Sequence, residues 1–230
     1  MKIVWEEITK NHMSHIESVL QLYDTAFPKD LREPHQILYN ALDKAEQNPP
    51  NRFRFLVGLM EGKPVSFATA HYLAEVNCGF IVYLGTDPHE RSKGLGSQAL
   101  GTIEEYLNQD AILAGKGSIR AFVLETEKQE SANSEEERET CLKRDYFYKR
   151  NGYKTYKGID YIQPPLNGGN EAIPLKLNIK KKQQTDFSRD EAQELIYAMY
   201  DQKYCLVNRI PTIVLNDCLK EMSIPKGVNI

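Results

Sequence analysis

The sequence lacks the features of a disulfide, zinc or membrane protein. Its 230 residues include only four cysteines, which are far apart and form no CxxC pair, so zinc and a disulfide framework are both disfavoured. No apolar run approaches the length of a membrane span, and the N-terminal residues lack the apolar region of a signal peptide. A net charge of −3 gives no bulk attraction to nucleic acid or anionic membranes. These absences predict a cytoplasmic protein with no metal, no nucleic-acid partner and no membrane partner.

What is present is ordinary for a globular chain. Hydrophobic residues make up 41% and charged residues 27% of the sequence, enough to bury a core. The length predicts one domain with an extension, or two small domains. Apolar periodicity predicts strands at 2–9, 52–60, 64–73, 80–87, 121–127, 153–161 and 172–179, and helices at 12–26, 34–45, 95–107, 135–150 and from 189 onward.

The stretch 80–107 has the pattern of a buried strand, a turn and an amphipathic helix. The turn is rich in glycine and charge, and the apolar residues after it share one helical face. A helix that starts in this way leaves free backbone N–H groups, which together with the helix dipole favour an anion such as a phosphate.

The turn reads Arg91-x-x-Gly94-x-Gly96. It is not a P-loop, and the dinucleotide fingerprint GxGxxG fails because Gly101 comes two positions too late. The pattern resembles the acetyl-CoA pyrophosphate loop of the GNAT superfamily of N-acetyltransferases, whose helices commonly begin (R/Q)xxGx(G/A). The resemblance implies acetyl-CoA as co-substrate. It implies cofactor contacts from Arg91, Ser92, Lys93, Gly94, Leu95, Gly96 and Ser97. The alternative is an ordinary strand–turn–helix junction.

A second segment also resembles the family. Tyr148-Lys-Arg-Asn-Gly152-Tyr153 is similar to its Y-x-x-x-G-(F/Y) motif, where the helix after the fifth strand ends. The element order matches the GNAT fold, an α/β class with a mixed, partly parallel central sheet and helices on both faces. Glu125-x-Glu127 and a Gln-Pro turn at 163–164 resemble one bacterial subgroup of the family.

The resemblance covers roughly residues 1–180, and residues 1–182 are predicted to form the acetyltransferase domain. Residues 183–230, here called the extension, are too few for an independent core, so they are predicted to pack on that domain as helices. Ser188-x-x-Glu191 predicts a capped helix there. The extension is expected either to cover the acceptor pocket or to form a dimer contact. A homodimer is therefore one of the two predicted arrangements.

Acetyl transfer to an amine needs a polarised carbonyl, a base and an acid. The resemblance implies that backbone N–H groups near Leu84, Gly85 and Thr86 polarise the thioester, where the strand splays and holds pantetheine. It also implies that Tyr148 protonates the departing sulfur. The alternative for Tyr148 is an aromatic ring that only packs under the sheet.

For the base, Glu125 and Glu127 share one face of a regular strand. Two close carboxylates raise one pKa, which suits a base, and they equally suit binding of a cationic amine. The alternatives are exposed strand-end residues, His71, His89 or ordered water. Asn133 is the nearest asparagine for the family's pantetheine contact.

The predicted function is therefore an acyltransferase that acetylates a primary amine of an unidentified, small-molecule or peptide acceptor. A non-catalytic acyl-CoA-binding sensor or partner module on the same fold is the alternative. A nucleotide-binding module is disfavoured by the failed glycine spacing.

Overall fold

The computed structural model describes residues 3–27, 32–166, 171–182 and 187–228. The chain divides into two compact units, Met1–Ile119 and Arg120–Ile230. The predicted domain boundary between 182 and 183 lies at the edge of residues 183–186, which are outside the described residues, and it stays a prediction. No described helix combines the length and the apolar character needed to cross a membrane.

The first unit is an antiparallel meander with three helices. Its strands are β1 (Val4–Glu7), β2 (Arg52–Met60), β3 (Lys63–Leu73) and β4 (Cys78–Thr86), and its helices are α1 (Ile16–Ala26), α2 (His35–Lys44) and α3 (Leu95–Leu113). Each strand pairs with the next along the chain.

The helices α1 and α3 cover opposite faces of this meander. On one face, Phe67 of β3 packs its ring 6.4 Å from Phe55 of β2 and 6.0 Å from Tyr23 of α1. Arg54 precedes Phe55, so its side chain points to the other face. There its Nε lies 2.9 Å from Oδ2 of the buried Asp110 on α3. An aromatic cluster therefore holds one face, and a hydrogen-bonded ion pair anchors the other.

The second unit centres on a long strand near its middle. Its strands are β5 (Ala121–Glu127), β6 (Lys154–Thr155), β7 (Ile162–Gln163) and β8 (Ile173–Lys181), and its helices are α4 (Glu135–Arg150), α5 (Arg189–Met199) and α6 (Thr212–Glu221). The strands β5, β6 and β7 all pair antiparallel with β8. A π-helical turn, Tyr200–Cys205, lies between α5 and α6.

The sequence predicted most of these elements, and the last hairpin differs. The strand expected at 153–161 forms only the two-residue β6, and β7 begins at Ile162, after the predicted end. The predicted helix starts are confirmed: Ser134 accepts from the Glu137 N–H, and Ser188 forms a capping box with Glu191. Ala192, Leu195, Ile196 and Met199 are buried, as their spacing indicated.

Candidate active site

The turn between β4 and α3 leaves a helix start without a cap. A short 3-10 turn, Pro88–Glu90, follows β4, and the Asp87 side chain accepts from the His89 N–H. Ser92 and Gly94 then adopt left-handed backbones with φ of 65° and 79°. The α3 helix starts at Leu95 with no side-chain cap and no acidic residue in its first turn.

Backbone donors at this start are available to an anion. The Gln98 N–H donates to the Gly94 carbonyl at 3.1 Å, which is the first helical bond. The N–H groups at 95–97 precede that bond, so they need an acceptor from outside the helix. A Cβ on Gly94 would meet nothing within 4 Å. Glycine is therefore needed here for its positive φ and for the open space that its missing side chain leaves.

The turn has two cations directly before the helix start, Arg91 and Lys93, and two acidic residues before them, Asp87 and Glu90. Arg91 and Lys93 are exposed, and Lys93 Nζ lies 2.6 Å from Glu90 Oε2. Two cations and a helix N-terminus favour a phosphate group. His89 is exposed within the 3-10 turn, and the structure shows no role for it.

The segment Leu84–Thr86 stays paired with β3 through the end of β4. Its Cα partners are Ala68, Phe67 and Ser66, and the register shifts earlier, between Thr69 and Ala70. A Cβ on Gly85 would lie 2.3 Å from Phe67 Cε1, so glycine is required there for close packing. A splayed strand at Gly85 and pantetheine contacts at this segment stay predictions.

Glu125 on β5 lies at the centre of a polar cluster. Its Oε1 accepts from the Tyr161 hydroxyl, and its Oε2 accepts from Gln163 Nε2 at 2.9 Å. The Tyr204 hydroxyl lies 2.8 Å from each carboxylate oxygen. Burial raises the pKa of Glu125, whereas the three donors and the Lys203 charge lower it. This carboxylate is held by neutral donors, two of them phenols.

Glu127 has a different environment two residues along the strand. It forms an ion pair with Arg144 of α4, so its charge is already compensated. The two glutamates share a face of β5, as predicted, but each carboxylate has its own partners. The sequence pattern treated them as one pair, and the structure distinguishes them.

Tyr148 lies one turn after Arg144 on α4. Its ring packs edge-on against Phe147 at 5.1 Å and Tyr153 at 5.8 Å. Among the described residues, its hydroxyl has no hydrogen-bond partner. Burial raises the pKa of Tyr148 to about 12, against the opposing effect of Arg144, so the phenol is neutral at physiological pH.

The end of α4 explains the spacing in the motif that contains Tyr148. Gly152 has a φ of 92°, and its N–H donates to the Lys149 carbonyl. The Tyr153 N–H donates to the Tyr148 carbonyl at 3.0 Å. These two bonds form a Schellman cap, which needs a glycine at this position. The cap fixes the last turn of the helix, and with it the backbone of Tyr148.

Other predicted candidates are placed less favourably. His71 is buried, and its ring lies 4.9 Å from Phe53, which is a packing position. Asn133 is exposed just before α4, and its backbone N–H donates to Glu137 Oε2. Among the described residues, no group of three or more histidine, cysteine, aspartate and glutamate side chains could hold a metal ion.

Sequence reasoning gave no role to Arg144, Tyr161 and Tyr204, which now surround the glutamates. The spacing Tyr161-x-Gln163 places both side chains on one face of an extended segment. Tyr200 and Tyr204 are four residues apart on one helical face. Both spacings are local features of the sequence, and neither predicts which carboxylate these side chains contact.

A family model and several solved structures indicate the same family of proteins. The sequence model of the acetyltransferase (GNAT) family matches residues 16–130, half of the chain. A GNAT-family protein from Bacteroides thetaiotaomicron has a TM-score of 0.66 at 20% identity, over 90% of this chain and 99% of its own. No curated protein matches the sequence.

Two further solved structures are similar. The PaiA N-acetyltransferase from Thermoplasma acidophilum, in complex with coenzyme A, has a TM-score of 0.51 at 16% identity over 79% of this chain and 99% of its own. The ribosomal-protein-S18-alanine N-acetyltransferase from Escherichia coli has a TM-score of 0.52 at 14% identity, over 80% of this chain and 97% of its own. They share the predicted fold class, a mixed sheet surrounded by helices. The chain therefore belongs to the GNAT family of acetyltransferases.

Proposed function

We propose that this protein is an acetyl-CoA-dependent N-acetyltransferase that moves the acetyl group to a primary amine by direct attack on the thioester. The observation that carries the proposal is the uncapped start of α3, with Gly94 in the left-handed region and Arg91 and Lys93 directly before it. It combines with a family that binds acetyl-CoA and with a similar structure that contains coenzyme A. Backbone N–H groups at 95–97 would bind the pyrophosphate, with Arg91 and Lys93 beside them.

The reaction needs two proton transfers. The amine nitrogen forms a bond to the acetyl carbon and loses a proton, and the carbon–sulfur bond then breaks. The departing thiolate takes a proton, so the products are an amide and CoA. We assign the acid to Tyr148, since its raised pKa keeps the phenol protonated.

We assign the base to Glu125 rather than to Glu127. An ionised carboxylate has about four lone-pair sites. Among the described residues three groups donate to Glu125, namely Tyr161, Gln163 and Tyr204, which leaves one site for the amine proton. The Glu127 carboxylate is already paired with the Arg144 guanidinium, so its oxygens are engaged by that cation and are less available to an amine proton.

The proposal covers two classes of acceptor, small-molecule amines and peptide amines. A carboxylate with a free site suits a cationic small-molecule or peptide amine. The similar enzyme from Escherichia coli acts, by its name, on an alanine of a ribosomal protein. The proposal includes a cytoplasmic location. It includes two oligomeric states, a monomer and a homodimer.

The test compares two glycines with nearly the same backbone. Gly94 and Gly62 have φ of 79° and 76°, and a Cβ on either would meet nothing within 4 Å. Alanine at either position introduces a similar strain of about 1 kcal/mol. We expect Gly94→Ala to weaken CoA binding in calorimetry at least tenfold and Gly62→Ala to leave it unchanged. Gly96→Val should also weaken binding, because a bulky side chain blocks close backbone approach.

Turnover is measured as CoA release from acetyl-CoA with a panel of primary amines. Equal CoA affinity in the two alanine variants would contradict the assignment of the loop. Tight CoA binding by the wild-type protein without acetylation of any amine would favour the non-catalytic acyl-CoA-binding module instead.

A further inference from the structure

The π-helical turn in the extension places a tyrosine on the candidate base. Tyr200–Cys205 lies between α5 and α6, and turns of this kind are rare and often occur at functional sites. Tyr204 in this turn is 1% exposed. Its hydroxyl lies 2.8 Å from both oxygens of Glu125, 79 residues earlier in the chain.

The turn has a second tyrosine that serves as a comparison. The Tyr200 ring packs against Tyr204 at 5.5 Å, and its hydroxyl donates to the Ile162 carbonyl. Tyr200 therefore ties the extension to β7, whereas Tyr204 binds the Glu125 carboxylate. Two phenols of similar burial thus have different hydrogen-bond partners.

In the part of the chain that the structure describes, each side chain that hydrogen-bonds to Glu125 belongs to the second unit. Tyr161 lies directly before β7, Gln163 lies in β7, and Tyr204 lies in the π-helical turn. The buried Lys203 lies in the same turn and favours the ionised carboxylate. Tyr200 is also close enough to interact electrostatically with Glu125. Gln163 Nε2 also lies 3.3 Å from the Tyr204 hydroxyl, so the donors form one connected network.

We propose that Tyr204 is a positioning residue that holds Glu125 in the orientation in which its remaining oxygen site receives the proton of the acceptor amine. The inference rests on the proposed N-acetyltransferase function. It makes the extension a working part of the active site, since residues beyond 183 then orient the base. A purely structural Tyr204 would join the extension to β5 without affecting proton transfer.

The test uses Tyr204→Phe, with Tyr200→Phe as the matched control. Each removes one hydroxyl from the same turn, and only the first removes a donor to Glu125. Loss of a hydrogen bond to the charged carboxylate raises the carboxyl pKa. We expect the acidic limb of kcat/KM for a primary amine to move up by about one pH unit in Tyr204→Phe, and to stay in place in Tyr200→Phe.

A second measurement does not need turnover. The side-chain carboxyl of Glu125, labelled with 13C and assigned with Glu125→Gln, is titrated by NMR in the wild type and in both tyrosine variants. The same upward shift is expected for Tyr204→Phe alone. If that variant does not fold, 3,5-difluorotyrosine at position 204 keeps the shape and donates more strongly, so the carboxyl should titrate at lower pH.

The outcomes separate the inference from the proposed function. If the wild type transfers acetyl while Tyr204→Phe keeps both the wild-type titration and the wild-type profile, the inference is wrong and the proposed function stands. If the wild type transfers none to any amine, the proposed function is wrong. The NMR titration then still decides whether Tyr204 controls the proton binding of Glu125.

Discussion

Removing the hydroxyl of Tyr148 tests the assigned acid with little structural change. The ring packs against Phe147 and Tyr153, and phenylalanine keeps both contacts. Among the described residues the hydroxyl has no hydrogen-bond partner. The free energy of unfolding should therefore change by no more than about 0.5 kcal/mol, and the affinity for CoA should stay the same.

The expected kinetic effect is much larger than the effect on stability. General-acid assistance is typically worth ~10²-fold or more, so kcat in Tyr148→Phe should fall by about that factor. This corresponds to about 2.7 kcal/mol in the activation free energy. The assay is steady-state CoA release with a saturating primary amine. Tyr146→Phe is the control, since Tyr146 is on the same helix and is 67% exposed.

The pH profile gives an independent check. An unperturbed phenol would be half ionised near pH 10, but burial raises the pKa of Tyr148 to about 12. Only about 1% is then ionised at pH 10, so Tyr148 should cause no fall in the wild-type kcat up to that pH. A fall centred near pH 10 that disappears in Tyr148→Phe would contradict the raised pKa. A variant within about twofold of the wild-type kcat would remove Tyr148 from the mechanism.

Two further predictions concern stability and the extension. Gly85→Ala should destabilise the fold by about 1–3 kcal/mol in urea unfolding, because its Cβ would lie 2.3 Å from the buried Phe67 ring. Gly101 lies in the middle of α3, and a Cβ there would meet nothing within 4 Å, so Gly101→Ala should instead stabilise the fold by up to about 1 kcal/mol. Equal effects of the two substitutions on the free energy of unfolding would contradict the packing argument. Limited proteolysis should leave residues 188–228 intact in the folded protein, since Tyr200 and Met222 contact Ile162. Rapid cleavage after Lys182 with unchanged activity would show that the extension is dispensable.

The sequence by itself determined the features that depend on a few neighbouring residues. The start of α3 follows from the glycine-rich pattern of 91–97, and the structure adds that Gly94 has a left-handed backbone. The ends of α4 follow from Ser134 and Gly152, and the start of α5 follows from Ser188 and Glu191. Each depends on hydrogen bonds within about one turn of chain, so the local pattern is sufficient.

Tertiary structure decided the features that depend on distant partners. The last hairpin was misplaced because pairing with β8, and not local periodicity, sets where β6 and β7 form. Gly85 is fixed by the ring of Phe67, a neighbour on the adjacent strand. Above all, Glu125 and Glu127 look equivalent in the sequence. Tyr204 binds the first from 79 residues away and Arg144 binds the second, and no local pattern specifies which side chain reaches which carboxylate.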